Sequence, residues 1–298
     1  MSILVVGSVA LDTVKTPLGK GRNVLGGSAT YFSISAGFFN PVSLVAVVGS
    51  DFPSKYLSLL KSRGIDLRGL TTQKGETFKW EGEYGWDFAD PKTLSTCLNV
   101  FAKFDPKIPA EYKKNKYLFL ANIDPEIQEN VLKQLSPKLV VCDTMNYWIE
   151  NKRNHLLKLL KKVDIFFLNE SEARMLTLKE NIIKAARALI KLGPQIVIIK
   201  RGEHGSLLFS QRHIFSIPAF LLEKVVDPTG AGDTFAGGVL GYLAKCDKFN
   251  QANLKKAVAY GAVMATFAVE DFSVRRLVTI RYRDVARRFK DFQRLSCF

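Results

Sequence analysis

The chain has 298 residues, 47% of them hydrophobic and 24% charged, which provides for one large core and argues against a disordered chain. Its net charge of +15 is spread through helical stretches 153–162, 174–191 and 281–294. No interleaved aromatics or helix-turn-helix pattern accompany that charge, so nucleic acid is not expected as a partner. A solvated basic exterior that attracts anionic substrates is the simpler reading.

Cys97, Cys142, Cys246 and Cys297 are far apart and form no CxxC pair. They read as free thiols in a reducing cytoplasm, not as a zinc site or a disulfide frame. The apolar start, 3–11, lacks a basic flank and meets Asp12 at once, so no secretory signal is expected. The longest near-continuous apolar run, 260–269, is about half a membrane span, so no membrane association is expected.

In chain order, residues 2–6 have the length and composition of a buried strand, which ends at Gly7-Ser8. Asp12 follows at the carboxyl end of that strand, where loops form the ligand crevice of an open α/β sheet. It is either an acceptor for two ligand hydroxyls or a surface turn residue. Gly26-Gly27 opens a helix over 28–39, and two glycines there permit close backbone approach to a ligand. A strand over 42–48 comes next. Residues 77–84 alternate in part and read as a strand of an exposed sheet, with Trp80 and Trp86 either touching a ligand or packing that sheet.

From residue 117 the rhythm is strand, helix, strand, helix. Strands over 117–120, 139–142, 164–168 and 195–199 are separated by helices over 125–135, 148–162 and 180–192. That alternation predicts a parallel sheet covered on both faces. Asp143 and Asn169 end two of these strands, where ligand groups cluster. Asn169 and Glu172 also have the spacing of a helix capping box. Lys200 begins the turn KRGEHG, where a cation could reach a phosphate. His204 reads as a solvated turn residue, and His155 and His213 are isolated, so no metal cluster is expected.

The densest stretch is 227–238, DPTGAGDTFAGG, between a strand-like run at 213–217 and a helix over 231–245. Pro228 biases Asp227 away from helix, and Gly230 and Gly232 permit a bend that a Cβ would obstruct. The helix starts at this bend, so its unpaired N–H groups and positive dipole end converge on a volume suited to phosphate. Asp233 stands beside that volume, and a carboxylate there needs a separate task; taking the proton from an attacking hydroxyl is one. Gly237-Gly238 is expected to serve close packing of the helix on the sheet. A helix over 251–269 and a basic terminal helix with Val285, Phe289 and Phe292 on one face complete the chain.

Residues 227–240 resemble the C-terminal signature of the PfkB (ribokinase) family of carbohydrate and nucleoside kinases. The resemblance implies a ribokinase-like three-layer α/β/α fold with a mostly parallel central sheet and a small β lid, in one domain over 1–298. Parts of 12–26 and 66–102 would supply the lid. It implies Asp233 as catalytic base, Gly230, Ala231 and Gly232 as the anion hole, ATP as donor, Mg2+ as the accompanying ion and a role for K+ left open at Asp227. By the same resemblance Asp12, Gly26 and Gly27 face the acceptor. Asn169, Lys200, Gly202, Gly205, Gly261 and Ala262 face the nucleotide, and Glu172 helps place Mg2+ through water.

The chain departs from the family pattern at Asn40, in place of a Gly, and at Lys200, where relatives often carry Thr, and in two further features that bear on the acceptor and the lid. Tyr31 stands where the family has an Asn that binds sugar, so Tyr31 would stack on a ring or nucleobase, or simply fill space. Only thirteen residues separate Asp12 from Gly26, so lid strands from this interval should be short. The expected activity is transfer of the γ-phosphoryl group of ATP to a hydroxyl of a sugar, polyol or nucleoside. A pyridoxal or hydroxymethylpyrimidine kinase of the same fold, or a non-catalytic ligand-binding regulator, are the alternatives. A homodimer through the lid is left open.

Overall fold

The computed structural model describes residues 2–88 and 91–296. Cys297 lies outside these residues; Cys97, Cys142 and Cys246 are free thiols. No helix among the described residues is long and apolar enough to cross a membrane.

The apolar run at the start forms β1 (Ile3–Val6), and the chain then leaves the central sheet for a hairpin, β2 (Ala10–Thr16) and β3 (Gly19–Gly26). The hairpin turns on Pro17-Leu18 alone, so the short interval holds two full strands of seven and eight residues. Helix α1 (Ser28–Ala36) returns to the body, followed by β4 (Val42–Gly49), α2 (Ser54–Ser62) and β5 (Ile65–Gln73). Strand β5 pairs parallel with β4, so 65–73 belongs to the central sheet. From this part of the chain the lid takes β6 (Phe78–Glu83) and β7 (Lys92–Cys97), which join the hairpin in a four-stranded sheet ordered β3-β2-β6-β7.

The alternating part continues through β8 (Tyr117–Leu120), α3 (Pro125–Leu132), β9 (Leu139–Asp143), α4 (Asn146–Asn151) and α5 (Arg153–Leu160). The single helix expected over 148–162 is two helices, because Lys152 leaves helical geometry at φ −133° and ψ 27°. Then come β10 (Ile165–Asn169), α6 (Glu170–Thr177), α7 (Ile182–Lys191) and β11 (Ile196–Lys200). The antiparallel β12 (Ser206–Ser210) and β13 (Ile214–Ile217) finish the sheet. Helices α8 (Ala231–Cys246), α9 (Gln251–Val269) and α10 (Tyr282–Leu295) close the chain.

The central sheet has nine strands ordered β13-β12-β11-β10-β9-β8-β1-β4-β5, parallel from β11 to β5. Successive strand residues point to opposite faces. Ile3, Val5, Val141, Phe167 and Ile198 enter one core with residues of α1, α8 and α9. Leu4, Val6, Val140, Phe166 and Val197 enter the other with residues of α5, α6 and α7. Because both faces are covered, the strands read as continuous apolar runs.

Helix α8 is held by backbone-close contacts. A Cβ on Gly237 would stand 2.6 Å from Phe32 O of α1, and one on Gly238 would stand 2.9 Å from the Gly261 Cα of α9. Gly237-Gly238 thus packs α8 between two helices, not onto the sheet.

Candidate active site

Asp143, Asn169 and Lys200 are the last residues of β9, β10 and β11, and α8 begins at the same edge of the sheet. Gly230 precedes α8 with φ 75° and ψ 2°, a conformation that a side chain resists. A Cβ there would also run into the ring of Tyr31. The N–H of Ala231 donates to Pro228 O (3.1 Å), closing the turn, and Gly232 is the member of the triplet that faces Lys200. Asp227 is fully buried and buckles this loop: Oδ1 accepts the Thr229 N–H (2.9 Å) and Oδ2 accepts the Ser273 N–H (3.2 Å). Those two bonds give the K+ role no support.

Asp233 lies in the first turn of α8. Burial, with Asp143 nearby, pushes its carboxyl up to about 7 against the opposing pull of Lys200 and its own N–H. Asp12, 5% exposed on β2, is raised to about 7 by burial and by Asp227 and Asp233, while a bond from the Gly27 N–H opposes the rise. Lid and body therefore bring a buried carboxyl, Asp12, and a half-buried one, Asp233, close enough for the second to act on the first. Gly26 makes room for this: a Cβ there would overlap the Asp12 carboxylate. The glycine pair expected to admit a ligand instead houses Asp12, with Gly27 at φ 92° fitted against Ser8 and Ala10.

Tyr31 is 2% exposed, its ring packed beneath Gly230. Burial and the nearby Asp227 and Asp12 push its phenol well above 10, so it stays neutral. It supports the loop before α8 and offers no exposed ring face for stacking. Trp80 packs across Gly82 within the lid and donates to Thr93 Oγ1 (3.3 Å), and Trp86 is 79% exposed. The lid residue that reaches the loop is Tyr84, whose hydroxyl is 3.4 Å from Thr229 Oγ1. Nothing in its sequence context marked it. Val14 and Tyr84 form a small cluster with Phe272 of the body, on whose ring Gly19 and Gly21 also rest.

The nucleotide-side residues divide. Asn169 and Glu172 form the capping box: Asn169 Oδ1 accepts the Glu172 N–H (2.7 Å) and Glu172 Oε2 accepts the Asn169 N–H (2.6 Å). Lys200 Nζ donates to Asp143 Oδ2 at 2.7 Å, and a Cβ on Gly232 would stand 3.0 Å from that ammonium. Gly202, at φ 55°, has open space on its Cβ side. Gly205, at φ 84°, is pressed against the backbone of 217–219, and Gly261 is used in the crossing of α8 and α9, with Ala262 9% exposed beside it. Two of the three glycines expected on the nucleotide, Gly205 and Gly261, thus have packing roles.

No group of three or more His, Cys, Asp or Glu side chains that could hold a metal occurs among the described residues. Mg2+ typically binds through one or two carboxylates plus substrate phosphates, so an ion carried by a triphosphate fits the buried Glu172 and the half-buried Asp233. A separate cleft of about 640 Å³, lined by Lys138, Asp164, Arg212 and Phe249 among others, lies at the opposite end of the sheet. Its carboxylate is occupied by Val140 N–H and Gln195 Nε2, so it offers no comparable chemistry.

Comparison with known proteins gives the following. The sequence pattern described as pfkB family carbohydrate kinase matches residues 5–280. The cytidine kinase of Thermococcus kodakarensis is 36% identical over 247 residues, 80% of this chain and 87% of that protein. The nucleoside kinase of Methanocaldococcus jannaschii superposes with a TM-score of 0.77 at 22% identity, covering 97% of this chain and 98% of that one. The aminoimidazole riboside kinase of Salmonella enterica, complexed with aminoimidazole riboside and an ATP analog, superposes with a TM-score of 0.75 at 16% identity over 97% and 100%. These two likenesses, below a quarter identical, concern the fold.

Proposed function

This chain belongs to the pfkB family of carbohydrate kinases and is a phosphotransferase acting on an alcohol group, and on that premise we propose that it transfers the γ-phosphoryl group of ATP to a hydroxyl of a nucleoside, with cytidine the first acceptor to test. The observation that carries the reading is Asp233, half-buried in the first turn of α8 beside Gly232 and close enough to Asp12 of the lid to act on its charge. The acceptor hydroxyl loses its proton to Asp233 as its oxygen bonds to the γ-phosphorus. The bond from that phosphorus to the bridging oxygen breaks, and ADP leaves with the electron pair. Asp12 accepts hydrogen bonds from acceptor hydroxyls, and the start of α8 faces the charge on the transferred group. Bound Mg2+ would neutralise phosphate charge, with Glu172 ordering its water.

A nucleoside acceptor is favoured by the 36% identity to a cytidine kinase, not by Tyr31. ADP release with ATP and Mg2+ should be measured for cytidine, adenosine, fructose and ribose, in the wild type and in Asp233→Asn. Cytidine or another nucleoside should exceed ribose in kcat/KM. Asp233→Asn should lower turnover by about two to four orders of magnitude with ATP affinity kept. A tenfold advantage for ribose sinks the acceptor assignment, and near-normal turnover in the variant sinks the base.

A further inference from the structure

We propose that Asp143 is a positioning residue that holds the ammonium of Lys200 against Gly232, where it meets the γ-phosphoryl group of the bound nucleoside triphosphate. The proposal rests on the phosphotransfer reading above and adds to it the residue that sets this cation in place.

The two side chains come from strands that are not neighbours. Asp143 ends β9, Lys200 ends β11, and β10 lies between them. Their ion pair spans the end of β10, where Asn169 starts α6. Asp143 is fixed on its other oxygen, which accepts the Thr144 N–H at 2.9 Å, so the carboxylate has a defined direction. Its side chain is 3% exposed and that of Lys200 is 19% exposed.

Burying such a pair is seldom better for stability than an apolar pair of the same volume, so its presence at a strand edge asks for another task. The position of the ammonium supplies one. A Cβ on Gly232 would stand 3.0 Å from Nζ and 3.5 Å from Cδ, so the missing side chain is what lets the lysine lie along the first turn of α8. Burial works against its charge, but Asp143, Glu172 and Asp233 outweigh burial and keep it protonated. A cation pre-placed beside helix N–H groups stabilises phosphoryl charge without reorganisation during the reaction. An ammonium has three donors; one directed at Asp143 fixes where the other two are carried.

The test compares wild type, Lys200→Met, Asp143→Asn and the double variant, each confirmed folded by circular dichroism. The readouts are kcat, the KM values for ATP and cytidine (or the nucleoside the wild type uses best), and calorimetric affinities for ADP and a non-hydrolysable ATP analogue. Lys200→Met should lower kcat by about 10²-fold and reduce the preference for triphosphate over diphosphate at least ~10-fold, with the nucleoside KM within ~3-fold. Asp143→Asn should lower kcat by about 10-fold, and the double variant should be no slower than Lys200→Met, because Asp143 acts through Lys200. Multiplying effects in the double variant, or an unchanged triphosphate preference in Lys200→Met, overturns the proposal. If either single variant fails to fold because a lone buried charge remains, the uncharged double variant decides: wild-type kcat and triphosphate preference in it overturn the proposal, and loss of both supports it. A wild type that phosphorylates no acceptor instead defeats the reading beneath the proposal.

Discussion

Asp12 and Asp233 should make the unliganded protein less stable as pH rises from 5 to 8. Both are raised from 3.8 to about 7 in the folded chain, with burial the largest cause. In the unfolded chain they titrate near 3.8, so between pH 4 and 7 the folded chain keeps protons that the unfolded chain has released. Folding then takes up protons, and stability, full below pH 4, falls through this window and is lost above pH 7. A rise from 3.8 to about 7 corresponds to about 4 kcal/mol for one group. The effects are not additive, because Asp233 is one of the charges acting on Asp12. Guanidinium unfolding at pH 5, 6, 7 and 8 should be measured for wild type, Asp12→Asn and Asp233→Asn without ligands. The wild type should lose roughly 2–3 kcal/mol across the range relative to either variant, each Asn variant gaining that much on it by pH 8. Ionisations common to all three cancel in that difference. Parallel pH profiles for the three proteins would refute the reasoning. Activity should run the other way: a base must be ionised to act, so kcat/KM should fall below pH 7 as Asp233 gains its proton.

Two further outcomes follow from the same site. Asp12→Ala should raise the acceptor KM at least ~10-fold while changing the ATP KM little, as expected for a group that binds hydroxyls; steady-state kinetics with each substrate varied check this, and equal effects on both remove Asp12 from the acceptor site. Gly230→Ala should cost roughly 2–4 kcal/mol, from the positive φ and the collision with Tyr31, and should impair turnover. Adding Tyr31→Ala should recover part of the stability, by denaturant titration, if the ring is the obstacle.

The strand-and-helix rhythm from residue 117 onward was legible because strands buried on both faces are short, continuous apolar runs. The bend before α8 was legible because Pro228, Gly230 and Gly232 shape the backbone locally. What could not be read were the long-range partners of residues that carry no pattern of their own. A glycine announces close approach but not to what: Gly26 clears space for Asp12, Gly205 meets 217–219, and Gly261 meets α8. Tyr31 could not reveal that its neighbour is Gly230, nearly two hundred positions away. Strand β7 was hidden because all six of its residues are exposed, leaving no alternation to read. Asp143 stood out as a strand-end residue and Lys200 as the first residue of a turn, but their pairing needed the sheet order, which places one strand between them.

The glycine contacts of α8 bear on how this protein can vary. Gly237 and Gly241 lie against α1 while Gly238 meets Gly261 of α9, and Asp233 sits one turn earlier on the same helix. A single added methyl at these contacts would have nowhere to go except by sliding α8 along or away from its neighbours. Such a slide would carry Asp233 with it, since a helix moves as a rod over this distance. Substitutions deep in the body should therefore register first as a displaced Asp233 carboxylate. A larger residue at these glycines could be accommodated only if α1 or α9 changed in step, because the backbones of the three helices touch there.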